Sequence, residues 1–183
     1  MVSIKVSKTL DRGSIPRAPA NINDTPSKVC HLYYVRYNET MKAVSFNVLA
    51  DAYLDYGDYS HVSPDLLRKG ARINKIIDLL SRINPDVAGL QEVDATLAAA
   101  LHDNDRWQVF YTPKGNDKPD GCATLVSTSI AVDAFTSYEY SDPSGHVAQY
   151  IKLGGIAILN THLKWAPPST EGHPGVRQAE ELM

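Results

Sequence analysis

The order of the predicted elements limits the fold of this chain more than any other feature. Residues 42–49 (KAVSFNVL) form one apolar strand candidate, and residues 87–93 (VAGLQEV) form a second. Between them, apolar residues recur at helical spacing from Leu66 to Ile83, after a helix start at Ser63-Pro64-Asp65 and before a stop at Asn84-Pro85. A strand, a helix and another strand in this order predict a layered protein in which helices cover a sheet.

The second half of the chain is mostly strands. Asp94 is a predicted cap for a short helix over residues 95–101, and a last helix begins at Gly175. Strand candidates occupy residues 107–112, 121–127, 130–137, 147–153 and 156–163, with a hairpin turn at residues 154–155. The pattern therefore predicts a layered α/β or α+β domain.

The first 40 residues differ from the rest. Residues 14–28 contain three prolines among small polar residues and show no periodicity, which is typical of a loop or a disordered segment. Residues 29–37 are aromatic and β-branched enough for a short strand. We predict a partly disordered N-terminal extension over residues 1–40 and a single domain over residues 41–183.

Charge and cysteine usage exclude some classes of protein. The net charge of −3 argues against a protein that coats nucleic acid, but not against an enzyme whose bound cation offsets phosphate charge. Cys30 and Cys122 form neither a zinc motif nor a C-x-x-C pair. There is no apolar leader and no apolar run long enough to cross a bilayer, so we expect a cytoplasmic protein without a membrane span.

Three polar residues stand at the ends of predicted apolar strands. Asn47, Glu92 and His162 each follow or end such a strand. Taken singly, each is as well explained as a hydrogen-bonded structural group, because a buried polar side chain must be satisfied. Taken together, they indicate one carboxylate for a hard cation such as Mg²⁺, with an amide and an imidazole to hold a phosphate.

The same residues lie in three of four motifs that together resemble one known family. The motifs are Ser45 to Asp51 (SFNVLAD), Leu90 to Val93 (LQEV), Asp120 to Ala123 (DGCA) and Asn160 to Leu163 (NTHL). Their sequences and order are similar to those of the endonuclease/exonuclease/phosphatase family. Lys164-Trp165 and Arg177-Gln178 are also similar to its deadenylase-like branch, which includes carbon-catabolite-repressor-type deadenylases, nocturnin and angel.

The resemblance implies an α+β fold, part of a four-layer sandwich with two sheets between helices. It implies that Glu92 binds Mg²⁺, with Mn²⁺ as an alternative, that Asn47 positions the metal's water or the phosphate, and that His162 donates to the scissile phosphate. Substrates of the branch are mainly RNA 3′ ends and related phosphoesters. Asn160, Lys164, Trp165 and Arg177 are the residues expected to contact such a substrate, and an ordinary packed Trp165 with surface charges is the alternative.

Two further motifs of the family are missing from the sequence. These are a Gly-Asp-x-Asn stretch and a Ser-Asp-His stretch, which supply the acid/base groups in the family. We therefore expect that this chain lacks the C-terminal part of the domain, which a second chain could complete, and that alone it is inactive. The alternative is a non-catalytic fragment or a phosphate-binding module. Other enzyme classes left open are a DNA endonuclease, an inositol-phosphate phosphatase and a lipid phosphodiesterase.

The remaining polar residues are predicted to be structural. The charges from Arg68 to Arg82 are expected on the solvated face of the helix. The acidic loop at Asp51, Asp55 and Asp58 is expected in solvent, with a role in binding substrate or a second metal ion as the alternative. Cys122 is expected as a small buried apolar residue. Four histidines are predicted on the surface: His61, His102, His146 and His173.

Overall fold

The computed structural model describes residues 32–37 and 41–183, and within these residues eight strands form two sheets. The first sheet has the order β1-β2-β3-β5-β4 and the second the order β6-β7-β8. The strands are β1 (Leu32–Tyr37), β2 (Met41–Asn47), β3 (Val87–Asp94), β4 (Trp107–Pro113), β5 (Asp120–Ser127), β6 (Ala134–Glu139), β7 (Val147–Leu153) and β8 (Ile156–Thr161). The helices are α1 (Ile73–Ile83), α2 (Ala95–His102) and α3 (Pro174–Glu181).

The strand pairing brings two of the motifs side by side. β2 and β3 are parallel, with Asn47 opposite Gln91, and α1 lies in the connection between them. The other pairs in this sheet, β1 with β2, β3 with β5 and β4 with β5, are antiparallel. Because parallel strands end at the same edge of a sheet, Asn47 and Glu92 come to lie next to each other.

The core has two parts, one on each face of the larger sheet. On one face, α1 and α2 pack onto the sheet around Leu80, Leu90 and Leu101, all fully buried. On the other face, the smaller sheet contributes Ile151, Leu153 and Ile158 against Val87 and Val126. Two stacked sheets with helices confirm the predicted α+β class.

Several predicted element boundaries hold, with known local causes. The Asp94 side chain accepts from the backbone N–H of Leu97 at 2.8 Å and so caps α2 as predicted. α1 ends at Asn84, which has a φ of 49° and precedes Pro85. The strand predicted over residues 29–37 is found as β1, whereas residues 1–31 and 38–40, with the predicted disordered segment, lie outside the described residues.

Two boundaries were wrong. The helix predicted from residue 63 is a 3₁₀ turn at Pro64–Leu67 followed by a break, because Gly70 adopts a φ of 78° and its N–H donates to the Asp51 carboxylate. The predicted strand at residues 130–137 begins only at Ala134, since Ile130 N donates to Ser127 O in a turn.

No helix among the described residues has the length and apolar character that a bilayer crossing requires.

Candidate active site

Asn47 and Glu92 form a hydrogen-bonded pair at the ends of β2 and β3. Asn47 Nδ2 donates to Glu92 Oε1 at 2.9 Å, and Asn47 Oδ1 accepts from the N–H of Leu49 at 2.9 Å. The pairing of β3 with β5 is irregular between Gln91 and Val93, and Glu92 between them has a φ of 57°. Bulges of this kind redirect a side chain at a sheet edge. Asn47 thus fixes the side chain of Glu92, a residue whose backbone has a positive φ.

The second carboxylate oxygen of Glu92 has no hydrogen-bond partner among the described residues. Oε2 is buried, and the residue as a whole is only 5% exposed. A buried carboxylate oxygen without a donor is costly, and such an oxygen fits a hard cation. No group of three or more His, Cys, Asp or Glu side chains close enough to hold a metal ion exists in the part of the chain that the structure describes. The donor set therefore fits a cation that retains water ligands, as Mg²⁺ does, and does not fit a structural zinc.

His162 lies directly after β8 and completes a cluster with Glu92. Its Nε2 is 3.8 Å from Glu92 Oε1, and its Nδ1 is 3.5 Å from Lys114 Nζ. The three residues singled out at strand ends, Asn47, Glu92 and His162, are thus brought together although they come from both sheets. Their catalytic and metal-binding roles stay predictions.

A buried ion pair beside His162 was not predicted from the sequence. Lys114 Nζ lies 2.5 Å from Asp120 Oδ2, and the two side chains are 3% and 0% exposed. Tyr53 donates its hydroxyl to the other Asp120 oxygen at 2.7 Å. Lys114 lies between β4 and β5 in a segment rich in Gly, Asn, Asp and Pro, with no apolar pattern that would indicate burial. The only sequence signal was the DGCA motif, in which Asp120 is the first residue.

Burial changes the ionisation of three groups close to this cluster. Desolvation raises the pKa of the Cys122 thiol to about 12, and the residue is fully buried, which confirms its prediction as a small apolar group. Desolvation, and then the hydrogen bond to Asp120, raises the pKa of Tyr53. Desolvation, followed by the charges of Lys114 and Lys118, lowers the pKa of His146 to about 4. Neither Cys122 nor Tyr53 is therefore a nucleophile at neutral pH.

Three surface predictions were wrong. His146 was expected on the surface, but it is 8% exposed, with its ring centroid 6.4 Å from that of His162. Arg72 was expected on the solvated face of α1, but its guanidinium donates to the carbonyls of Val48 and Leu49 and pairs with Asp51. Arg72 lies at the start of α1, and its side chain extends back onto the loop that follows β2. Because Asp51 pairs with Arg72 and its side chain is only 14% exposed, the prediction of a solvated Asp51 was also wrong.

Asn160 lies between the two sheets. It is 1% exposed, and its Oδ1 accepts from Gln91 Nε2 at 2.8 Å. Its Nδ2 lies 3.1 Å from both Ala123 O and Gln149 Oε1. These bonds fix β8 against β3 and thereby fix the separation of His162 from Glu92.

The other three residues predicted to contact substrate are exposed. Trp165 is 64% exposed, and Lys164 and Arg177 are also on the surface. The backbone N–H of Lys164 donates to Gln178 Oε1 at 2.7 Å, and Gln178 also donates to Asp142 Oδ2. α3 thereby holds the segment that follows His162.

Comparison with known proteins agrees with the motifs. The sequence model of the endonuclease/exonuclease/phosphatase family matches residues 44–182. Carbon catabolite repressor protein 4 homolog 3 of Arabidopsis thaliana is 34% identical over 88 residues, which are 46% of this chain and 20% of that protein. The chain therefore spans about a fifth of the length of this relative.

Solved structures show the same fold. The structure of ANGEL2, a 2′,3′-cyclic phosphatase, superposes with a TM-score of 0.58 at 24% identity, covering 69% of this chain and 42% of ANGEL2. The human nocturnin catalytic domain superposes with a TM-score of 0.59 at 21% identity, covering 82% of this chain and 60% of that domain. These structures show that the fold is shared, and the plant relative agrees with the resemblance to the deadenylase-like branch.

Proposed function

Because the chain belongs to the endonuclease/exonuclease/phosphatase family, we propose that it is the metal-binding part of a Mg²⁺-dependent phosphodiesterase that acts on the 3′ ends of RNA, and that the complete enzyme also contains the acid/base motifs missing from this chain. One observation carries the proposal. Glu92 Oε2 is buried without a hydrogen-bond partner among the described residues, while Asn47 holds the other oxygen of the same carboxylate. A family member with a free, oriented carboxylate oxygen beside a histidine has the features of a site for a cation and a phosphate.

Glu92 is the residue that would hold the metal. Mg²⁺ takes few protein ligands and shares the oxygens of substrate phosphates, so one carboxylate is a sufficient protein anchor; Mn²⁺ is the alternative ion. When bound, such an ion stabilises negative charge on the phosphoryl oxygens. Asn47 keeps the carboxylate in place through its 2.9 Å bond to Oε1, which leaves Oε2 available.

His162 is assigned to the phosphate. Its Nε2 faces the Glu92 carboxylate at 3.8 Å, a separation too long for a direct hydrogen bond. A phosphate oxygen near the carboxylate can accept a hydrogen bond from the Nε2–H group, and this bond orients the scissile phosphate. Asn160 acts indirectly, because it is buried and fixes β8, the strand that leads into His162.

The exposed residues after His162 are assigned to the RNA chain. Trp165 offers a base-stacking surface, and Lys164 and Arg177 offer cations for phosphates. A local basic and aromatic segment on a protein of net charge −3 favours a bound strand end over indiscriminate binding of nucleic acid.

Calorimetric titration of Mg²⁺ tests the metal site. The native chain should bind the ion, and Glu92→Gln should abolish binding with an unchanged circular dichroism spectrum, because it removes the charge but little volume. Glu171→Gln, the same substitution at an exposed residue, is the matched control and should bind as the native chain does. Equal binding by Glu92→Gln and the control would exclude Glu92 as the ligand.

A hydrolysis assay tests the substrate. In the complete enzyme, which supplies the acid/base motifs, release of nucleotides from the 3′ end of an RNA oligonucleotide with Mg²⁺ should exceed turnover of duplex DNA, an inositol phosphate and a phospholipid headgroup. Preference for one of the other three would replace the RNA assignment with that class. If Mg²⁺ and RNA bind but the complete enzyme turns over none of the four substrates, the result would support the alternative function, a phosphate-binding module.

A further inference from the structure

Tyr53, Asp120 and Lys114 form a chain of contacts that ends on His162; Asp120 and Lys114 are buried, and none of the three belongs to the proposed metal site. Tyr53 donates to Asp120 Oδ1 at 2.7 Å, and Asp120 Oδ2 lies 2.5 Å from Lys114 Nζ. A buried lysine is costly unless a carboxylate and further acceptors satisfy it. The ammonium group has a second neighbour, Nδ1 of His162 at 3.5 Å.

The chemistry of the lysine decides the direction of this second contact. An ammonium group has three donors and no acceptor, whereas a neutral imidazole has one donor and one acceptor nitrogen. If Lys114 contacts Nδ1, that nitrogen must accept, so the ring proton lies on Nε2. Nε2 is the nitrogen that faces Glu92 Oε1 at 3.8 Å. The contact therefore directs the imidazole donor toward the proposed phosphate position.

We infer that Lys114 is a positioning residue that holds His162 in the tautomer with its proton on Nε2, and that Asp120 and Tyr53 hold Lys114 in place. The inference rests on the proposed function only for its consequence, donation to a phosphate. The tautomer itself is a property of the chain without metal or substrate. The DGCA motif then has a role in the site, because Asp120 anchors the lysine that orients the histidine.

A purely structural ion pair makes a different prediction. If Lys114 and Asp120 only satisfied each other, the tautomer of His162 would be indifferent to Lys114. The distances favour orientation, since Asp120 already has a second donor in Tyr53 and Lys114 still lies within hydrogen-bond distance of Nδ1.

Long-range ¹H–¹⁵N correlation of the histidine rings in the full chain tests the inference. The measurement is made without metal at about pH 8, above the ordinary histidine pKa near 6.5. His162→Asn assigns the resonances. In the native chain we expect His162 to carry its proton on Nε2, with Nδ1 shifted upfield as a hydrogen-bond acceptor. In Lys114→Met, the fraction of the ring with its proton on Nδ1 should rise, which moves the averaged Nδ1 shift upfield and the averaged Nε2 shift downfield. A proton on Nδ1 in the native chain, or a tautomer ratio unchanged in folded Lys114→Met, overturns the inference.

A charge-exchanged pair separates orientation from simple pairing. Lys114→Glu combined with Asp120→Lys keeps an ion pair but places an acceptor beside Nδ1, so the ring proton should move to Nδ1. Retention of the Nε2 proton in the folded double variant contradicts the inference. Should either variant fail to fold by circular dichroism, the native Nδ1 shift decides: an unprotonated Nδ1 upfield of its value in a free imidazole shows that it accepts a hydrogen bond, and an Nδ1 at the free value overturns the inference. Loss of Mg²⁺ binding would count against the proposed function and leave this result unaffected.

Discussion

At the residue scale, His146, which lies beside His162, is expected to make the unfolding free energy depend on pH. Desolvation, with the charges of Lys114 and Lys118, lowers its pKa from 6.5 to about 4, against a smaller opposing effect of Asp120. Between these values the unfolded chain binds a proton that the folded chain does not. His146 therefore leaves the unfolding free energy unchanged above pH 6.5. It lowers this free energy as the pH falls toward 4, by roughly 1–3 kcal/mol.

The expected result is a weaker pH dependence in His146→Gln. Urea unfolding at pH 7 and at pH 4.5 should show a smaller loss of unfolding free energy in this variant than in the native chain, by roughly 1–3 kcal/mol. His102→Gln, at an exposed histidine, is the control and should lose as much as the native chain. An undiminished loss in His146→Gln would mean that other groups cause the acid sensitivity.

Individual residues were predictable where the neighbouring sequence was apolar. Asn47, Glu92 and His162 stand out because each is polar at the end of an apolar strand. Lys114 and His146 gave no such signal, since both lie among polar residues in loops and are buried only because the segment at residue 115 docks onto the loop at residue 145 through a 2.8 Å backbone bond. Burial produced by contact between two loops is a tertiary property that local sequence does not contain.

At the element scale, Arg72 attaches the start of α1 to the loop that follows β2. Its guanidinium donates to Val48 O at 3.0 Å and to Leu49 O at 2.7 Å, and it pairs with Asp51. The side chains of the pair are only 18% and 14% exposed. We expect Arg72→Met to lower the unfolding free energy by roughly 1–3 kcal/mol, because the carbonyls lose their donor.

Arg68→Met is the matched control for Arg72→Met. Arg68 pairs with Asp65 at 2.8 Å, but these side chains are 77% and 75% exposed, so its loss should cost at most about 1 kcal/mol. Urea unfolding measures both variants. Equal effects of the two substitutions would show that the attachment of the loop to α1 adds nothing beyond a surface pair.

The elements themselves were largely evident from sequence, and their ends were not. Apolar periodicity located α1, but the true start depended on Gly70, whose N–H is bound by Asp51 from a separate turn. Likewise the β-like pattern of residues 121–127 indicated β5, but not that β5 lies between β3 and β4. Strand order and helix start both depend on contacts between distant residues, which periodicity cannot report.

At the scale of the whole molecule, a buried set of amides joins the two sheets. Asn160 bonds to Gln91 and Gln149, and Gln149 Oε1 also accepts from Thr124 Oγ1 at 2.7 Å. Gly89 leaves the space, because a Cβ there would lie 3.0 Å from the Asn160 side chain. Apolar contacts alone do not specify how two sheets register, whereas a hydrogen-bonded set has one satisfied arrangement.

The last prediction concerns Asn160 and the cohesion of the two sheets. Asn160→Ala removes the shared partner of two buried glutamines, so the unfolding free energy should fall by at least about 2 kcal/mol. Asn74→Ala, on the exposed surface of α1, is the control and should change it by less than about 0.5 kcal/mol. Urea unfolding followed by circular dichroism gives both values. Native stability in Asn160→Ala, combined with weaker RNA binding, would instead assign Asn160 to direct contact with substrate, since only a residue that does not hold the sheets together can be lost without a cost in stability.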